Sequence, residues 1–362
     1  MIDRRLLGNI DWALISLVLL NSLLGVMMIY SSSHYLPGQY HLRQLFWIGV
    51  GLAALFIVLL VDYKVLVTYA FYFYGLIVLV LLAMLVFGQF IKKGSWIQLP
   101  FFQVQPSELA KIAVILVLAQ LFSEYKKGYV SRSAVLASSG LVAFPFLLVA
   151  LQPDLGTALC YLPLLLGSLI LSGLRRKVLA GMVLLAVLAG VGGWNFYLKD
   201  YQKKRLATVV FPGKDPQGSG YHVLQSKIAI GSGGLLGKGF KKGSQSQLKF
   251  LPARHTDFVF SVIGEEFGFA GAAVVLFIYS AFLLRLFRSA AKARDRTGVY
   301  IIFMVSLMIA FQLVVNVAMV IGIFPIIGIP LPLLSYGGSS LLANFLGLGL
   351  VLNVKMRRFV NI

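Results

Sequence analysis

Ten stretches of this chain stay apolar for about 20 residues, the length a helix needs to cross the hydrocarbon core of a bilayer. They are 12–30, 44–61, 65–90, 107–122, 134–152, 155–174, 178–198, 258–284, 300–325 and 331–354. A backbone in lipid finds no water to bond, so each run must satisfy its own amides as a helix. The expected fold is an all-α integral membrane protein with ten transmembrane helices in one polytopic domain, 1–362. Composition agrees, with 59% hydrophobic residues and a mean hydropathy of +0.89. The first run is too long and too poorly flanked to be a cleavable signal peptide.

A net charge of +20 raises nucleic acid as a partner, and the placement of the charge argues against it. With the N-terminus in the cytoplasm, the clusters Arg175, Arg176, Lys177, then Arg285 to Arg296, then Lys355, Arg357, Arg358 all fall inside. Short outer loops hold only Arg43, Lys92 and Lys93. This positive-inside asymmetry puts both termini in the cytoplasm and accounts for most of the charge as topology. One large extracytoplasmic loop, about 199–256, then joins helices 7 and 8 with a charge of about +9. It has two readings, attraction to membrane lipid headgroups or to an anionic substrate. The single Cys160 lies in an apolar run, and His34, His41, His222 and His255 lack metal-ligand spacing.

With orientation set, the ionisable residues gather on one side. Glu108 and Lys111 in "QPSELAKIAVIL", Asp154 in "LQPDLGTALC", Asp257 in "HTDF" and the run "LPLLSYGGSS" at 331–340 all fall at outer helix ends. Intramembrane charge is costly and usually functional, yet each residue has a plainer reading. Glu108 and Lys111 stand three residues apart and can neutralise one another. Asp154 and Asp257 can each be a helix N-cap, and Gln312 with Asn316 can join helices. Glu265 and Glu266 follow Asp257, and residues 257–266 read as a helical approach to a span that starts near Phe267. In the loop, "GYHVLQSKIAIG" has the pattern of a surface-lying helix. "GSGGLLGKGF" is a weak signal for backbone amides that wrap a phosphate.

Taken together, "QPSELAKIAVIL", "QPDLGTAL", "GSGYHVLQSKIAIGSGGLLGKG", "LPARHTDFVFSVIGEEFGF" and "PLLSYGGSS" resemble the SEDS proteins of shape, elongation, division and sporulation. The match runs along nearly the whole chain and lies closer to the RodA branch than to FtsW. One departure is visible, Ser95 before Trp96 where the family often has Arg.

The resemblance implies a peptidoglycan glycosyltransferase of the bacterial plasma (inner) membrane. It would polymerise lipid II on the outer face and work with a class B penicillin-binding protein transpeptidase. Carried over by motif, Asp257 is the essential aspartate, and Glu108, Lys111, Asp154 and Ser335 are cavity residues. Lys249, Arg254 and His255, in the basic stretch before Asp257, join the substrate-binding or cavity set. Attack by a sugar hydroxyl benefits from a base by roughly 10²–10⁴-fold, and Asp257 fits that role. Pyrophosphate leaves well once neutralised, so cations are needed rather than a second acid. Lys111, Lys249, Arg254 or a divalent Mg or Mn ion are the candidates. Glu265 and Glu266 are expected to orient the loop or its cations. The rival reading is a lipid II flippase or proton-coupled transporter, which should carry its ionisable groups near the midplane. An inactive scaffold ranks third.

Overall fold

The computed structural model describes residues 8–34, 38–87, 95–98, 103–123, 130–175, 177–182, 184, 192, 200–210, 218–248, 250, 251 and 253–358. The first half contains α1 (Trp12–Ser33), α2 (Tyr40–Leu60), α3 (Tyr63–Thr68), α4 (Ala70–Phe87), α5 (Pro106–Ser123) and α6 (Arg132–Leu151). There follow α7 (Leu155–Leu159), α8 (Leu162–Leu171), α9 (Asp200–Val210), α10 (Ser219–Ser232) and α11 (Ser244–Gln247). The chain ends with α12 (Val259–Ala291), α13 (Arg296–Val320) and α14 (Gly338–Met356). Eight of the described helices are long and apolar enough to cross a membrane. The molecule is a helical, multi-pass membrane protein.

Several apolar runs are not single helices. Run 65–90 begins inside the short α3 and continues as α4, with the Asp62 side chain capping α3 through the Lys64 amide. Run 155–174 breaks at Cys160 and Tyr161, with Pro163 in the first turn of α8. Proline is tolerated there because its missing N–H would be unpaired in any case. Run 331–354 does not open as a helix at residue 331. Pro332 and the positive φ of Leu333 (65°) keep 331–337 irregular, and α14 starts at Gly338. A two-stranded hairpin, β1 (Ile97–Gln98) with β2 (Gln103–Val104), is also absent from an all-helical expectation. Run 178–198 lies largely outside the described residues.

Three helices fill the inside of the bundle. The apolar windows of α5, α13 and α14 are buried over 78%, 67% and 78% of their length, against 28% for α4. Small residues let helices approach in the absence of a strong hydrophobic drive. A methyl at Gly349 of α14 would sit 3.2 Å from the Leu55 Cα of α2. At the end of this pair, Asn353 donates to the carbonyls of Val58 (2.5 Å) and Val61 (2.6 Å) and accepts from the Tyr63 amide (3.1 Å). One buried amide thereby satisfies the C-terminal carbonyls of α2 that the helix itself leaves open.

Helix α12 breaks at Gly268 (φ 67°, ψ −162°), which divides residues 259–267 from the rest. That division agrees with the expected approach segment. The glycine-rich loop completes the broken ladder. The amides of Phe269 and Ala270 donate to the carbonyls of Gly234 (2.9 Å) and Leu235 (3.0 Å). The freed carbonyls of Glu265 and Glu266 accept from the amides of Lys238 (3.0 Å) and Gly239 (2.9 Å). Two amides and two carbonyls at the kink are thereby paired with the loop, as burial requires. Gly233 and Gly237 serve backbone-to-backbone packing, since a Cβ at either would collide with the carbonyl of Gly264 or Glu266. Helix α10 packs on the bundle through Ser226, whose hydroxyl donates to the Val320 carbonyl (2.6 Å). Its inner face carries Val223, Ser226 and Ala229, while Leu224 and Ile228 are exposed.

Candidate active site

Asp257 sits in the tight turn 253–258 that leads into α12. The Ala253 carbonyl, from a residue at φ 47°, accepts from the amides of Thr256 (3.0 Å) and Asp257 (3.1 Å). Two more contacts hold the turn from outside, and a third ties it to Ile329. Asn316 of α13 donates to the Asp257 carbonyl (3.0 Å) and to that of Ile329 (2.8 Å), and the Tyr336 amide donates to the His255 carbonyl (2.9 Å). The backbone of Asp257 is thus fixed by α13 and by the irregular segment 329–336.

From this turn Asp257 opens onto a cavity of about 1100 Å³. Glu108 and Asp154 line the same cavity, so the structure brings together three of the acidic groups that the sequence placed at one membrane face. The remaining wall comes from Tyr40, Arg43 and Trp47 of α2, from Ser95, Trp96, Gln98 and Gln103 around the hairpin, and from Gln105 and Tyr336. Ser95 and Trp96, the point of departure from the family pattern, therefore face the site.

The acids differ in environment. Burial raises the Asp257 carboxyl to about 6, against a hydrogen bond from Thr256 and the charge of Arg205. Part of its surface stays open to the cavity. Such a group is ionised near neutral pH yet basic enough to accept a proton. Asp154 caps α7 by accepting from the Thr157 amide (3.2 Å), and Gln105 donates to its other oxygen. Burial raises its carboxyl too, helped by the Glu108 charge and opposed by Thr157 and Lys111. Glu108 and Lys111 pair at 2.8 Å with side chains 5% and 1% exposed. The plainer readings, a cap for Asp154 and an ion pair for Glu108 with Lys111, are both present, and Glu108 and Asp154 still line the cavity while Lys111 does not.

Other expected site residues have different duties. The Ser335 hydroxyl accepts from the Leu331 amide (2.9 Å) and does not line the cavity. Arg254 turns away from it, and its guanidinium donates to the Ser246 carbonyl. His255 packs on Tyr40, with ring centroids 4.5 Å apart, and burial with the Arg254 charge holds its imidazole below the ordinary range. Lys111 stands behind Glu108, and Lys249 lies outside the described residues. Among the described lining residues the one cation is Arg43, which sequence reasoning counted only as loop charge. Its nearness to Tyr40 and Trp47 in sequence was the available signal. No group of three His, Cys, Asp or Glu side chains among the described residues is arranged to hold a metal ion.

Glu265 and Glu266 are fully buried and face the loop instead of the cavity. Glu265 accepts from the amides of Gln245 (2.7 Å) and Ser246 (2.9 Å), from Lys238 (2.9 Å) and from the Ser244 hydroxyl (3.3 Å). Glu266 accepts from the Ser31 hydroxyl (2.6 Å) and from Gln247 (3.3 Å). A relay follows: Glu265 holds Ser246, Ser246 accepts from Arg254, and Arg254 lies in the turn that carries Asp257.

Comparison with known proteins agrees with this architecture. Residues 11–359 match the profile of the FtsW, RodA and SpoVE cell cycle proteins. The peptidoglycan glycosyltransferase MrdB of Escherichia coli strain K12 is 37% identical over 352 residues, covering 97% of this chain and 94% of MrdB. Stage V sporulation protein E of Bacillus subtilis strain 168 is 34% identical over 95% of this chain and 96% of its own. The solved rod shape determining protein RodA of Thermus thermophilus has a TM-score of 0.72 at 32% identity, covering 97% of this chain and 98% of that one. A chain of a peptidoglycan synthase complex, studied for the coordination of polymerization and crosslinking, reaches 0.80 at 36% identity over 97% and 99%. Over almost its whole length, then, this chain belongs to the FtsW/RodA/SpoVE family of cell cycle proteins.

Proposed function

We infer that this protein is the peptidoglycan glycosyltransferase of cell elongation, polymerising lipid II in the Asp257 cavity. The observation that carries this reading is a base-competent carboxyl, at about 6, lining a cavity of about 1100 Å³ that Arg43 also lines. The activity named for MrdB, 37% identical over nearly the full chain, agrees with it.

In the reaction, the Asp257 carboxylate takes the proton of a sugar hydroxyl. The hydroxyl oxygen bonds to the anomeric carbon of a second lipid-linked sugar, and the bond from that carbon to the pyrophosphate breaks. The electron pair leaves with the pyrophosphate, so no second acid is required. Arg43, which lines the same cavity, is the cation available to meet the departing charge. Glu108 and Asp154 repel that charge unless compensated, and Lys111 compensates Glu108 at 2.8 Å. Among the described residues the carboxylates do not form a metal-binding set, and no step is assigned to Mg or Mn.

The topology belongs to the same proposal: one polytopic domain, ten helices, both termini cytoplasmic, and residues 199–256 on the outer side with the cavity. The proposed partner is a class B penicillin-binding protein transpeptidase, in keeping with the likeness to a chain of a peptidoglycan synthase complex. The test is direct. Purified protein incubated with lipid II, alone and with the transpeptidase, should yield glycan strands. Translocation of lipid II across vesicles without polymer would favour the flippase instead.

A further inference from the structure

The end of the bundle opposite Asp257 carries a second cavity of about 500 Å³. The two sites lie at opposite ends because α12 runs from the Asp257 turn to Lys292. Helix α14 likewise runs from Gly338, on the first cavity, to Lys355, on the second. Its walls are basic at one end, with Arg285, Arg288, Lys292 and Lys355, and apolar at the other, with Leu17, Phe277 and Leu284.

The basic end is only partly neutralised. Asp11, the N-cap of α1, accepts from Leu14 N (3.1 Å), from Arg285 Nε (2.9 Å) and from Lys355. No carboxylate among the described residues forms an ion pair with Arg288 or Lys292, both exposed. Four cations against one carboxylate leave three positive charges on a single concave surface.

The spacing along α12 is equally informative. Phe277, Ala281, Leu284, Arg288 and Lys292 recur every three or four residues, so they form one stripe on one helix face. The stripe is apolar along its first part and cationic at its end. At a rise of 1.5 Å per residue, Phe277 to Lys292 spans about 22 Å. One leaflet of a bilayer, headgroup to midplane, is also about 20–22 Å. Helix C-termini favour cations, and positive-inside topology supplies them. Neither explains a concavity lined by cations that continues into exposed apolar side chains, Phe277 at 74% and Leu284 at 55%.

We propose that this cavity binds one anionic phospholipid, its phosphate on Arg288 and Lys292 and its acyl chain along Phe277, Leu284 and Leu17. Anionic headgroups are attracted by roughly 1 kcal/mol per Lys or Arg near the surface, so removal of both free cations weakens binding roughly 30-fold. The full-length protein is titrated in detergent with phosphatidylglycerol or phosphatidylcholine of matched chains, and bound lipid is counted by native mass spectrometry. Wild type should retain one phosphatidylglycerol in preference to phosphatidylcholine. Arg288→Gln/Lys292→Gln should lose that preference, and each single change should lose about 5-fold. Arg288→Lys/Lys292→Arg should keep it, as should Lys64→Gln/Arg132→Gln, which removes equal charge outside the cavity. Unchanged thermal unfolding confirms that each variant is folded. Equal preference in the Gln double variant overturns the proposal. So does displacement of the lipid by inorganic phosphate alone, and so does a stable dimer that retains no lipid.

Discussion

Glu265 offers the sharpest test of how the outer loop is held. Its carboxylate accepts two backbone amides, Gln245 at 2.7 Å and Ser246 at 2.9 Å, inside a site with no exposed surface of its own. Lys238 is 26% exposed at its side chain and can turn to water when Glu265 is removed, but the two amides cannot. An unpaired buried donor costs about 1–3 kcal/mol, so Glu265→Ala should weaken the local structure by roughly 2–5 kcal/mol. Glu265→Gln keeps one acceptor oxygen and should lose about half of that. Amide exchange read by mass spectrometry reports local opening, and this loss means roughly 30- to 5000-fold faster exchange over 243–248. Because Ser246 accepts from Arg254, which lies in the Asp257 turn, kcat should fall in the same order with KM little changed. Unchanged exchange over 243–248 would refute the clamp. Uniformly faster exchange across the bundle would make Glu265 a general packing residue and break the link to Asp257.

Three other perturbations follow from the same geometry. Asp257 has a raised carboxyl, so its contribution to stability is fully present below its unfolded value of 3.8 and is lost as pH rises through about 6. Asp257→Asn should therefore melt higher than wild type at pH 7.5, by about 1–3 kcal/mol, and equally at pH 4, while wild-type polymerisation rises with pH through about 6. Breaking the buried Glu108–Lys111 pair with Lys111→Met should cost about 3–5 kcal/mol, and adding Glu108→Gln should recover much of it; additive losses in thermal unfolding would show that the two do not couple. Gly237→Ala places a Cβ against the Glu266 carbonyl at φ 81°, and should cost about 1–3 kcal/mol with proteolysis focused on 233–239; a wild-type proteolysis pattern would contradict the loop's pairing with the α12 break.

The membrane class was legible because apolar runs of about 20 residues leave little else for a backbone to do. The acidic cavity residues were legible for a related reason, since Glu108, Asp154 and Asp257 are rare charges at the ends of apolar runs. What the sequence hid depends on packing. Arg43 reads in sequence as one cation in a short loop, and only its nearness to Tyr40 and Trp47 hints that α2 carries it to the Asp257 cavity. Arg254 and Ser335 have side chains suited to phosphate, but the backbone of their own segments claims them, and such claims are invisible before the turns are built. Asn316 read as interhelical glue, and it does bridge elements, but its partners are the carbonyls of Asp257 and Ile329. The hairpin and the late start of α14 were missed because four-residue pairings and proline-set irregular turns are weaker than the apolar pattern around them.

The most direct measurement compares wild type and Asp257→Asn, each purified, folded by thermal unfolding and supplied with lipid II and the transpeptidase at pH 7.5. Separation of the glycan products should give strands from wild type and none from the variant. Equal polymer from both would contradict Asp257 as the base and leave the cavity without its proposed chemistry.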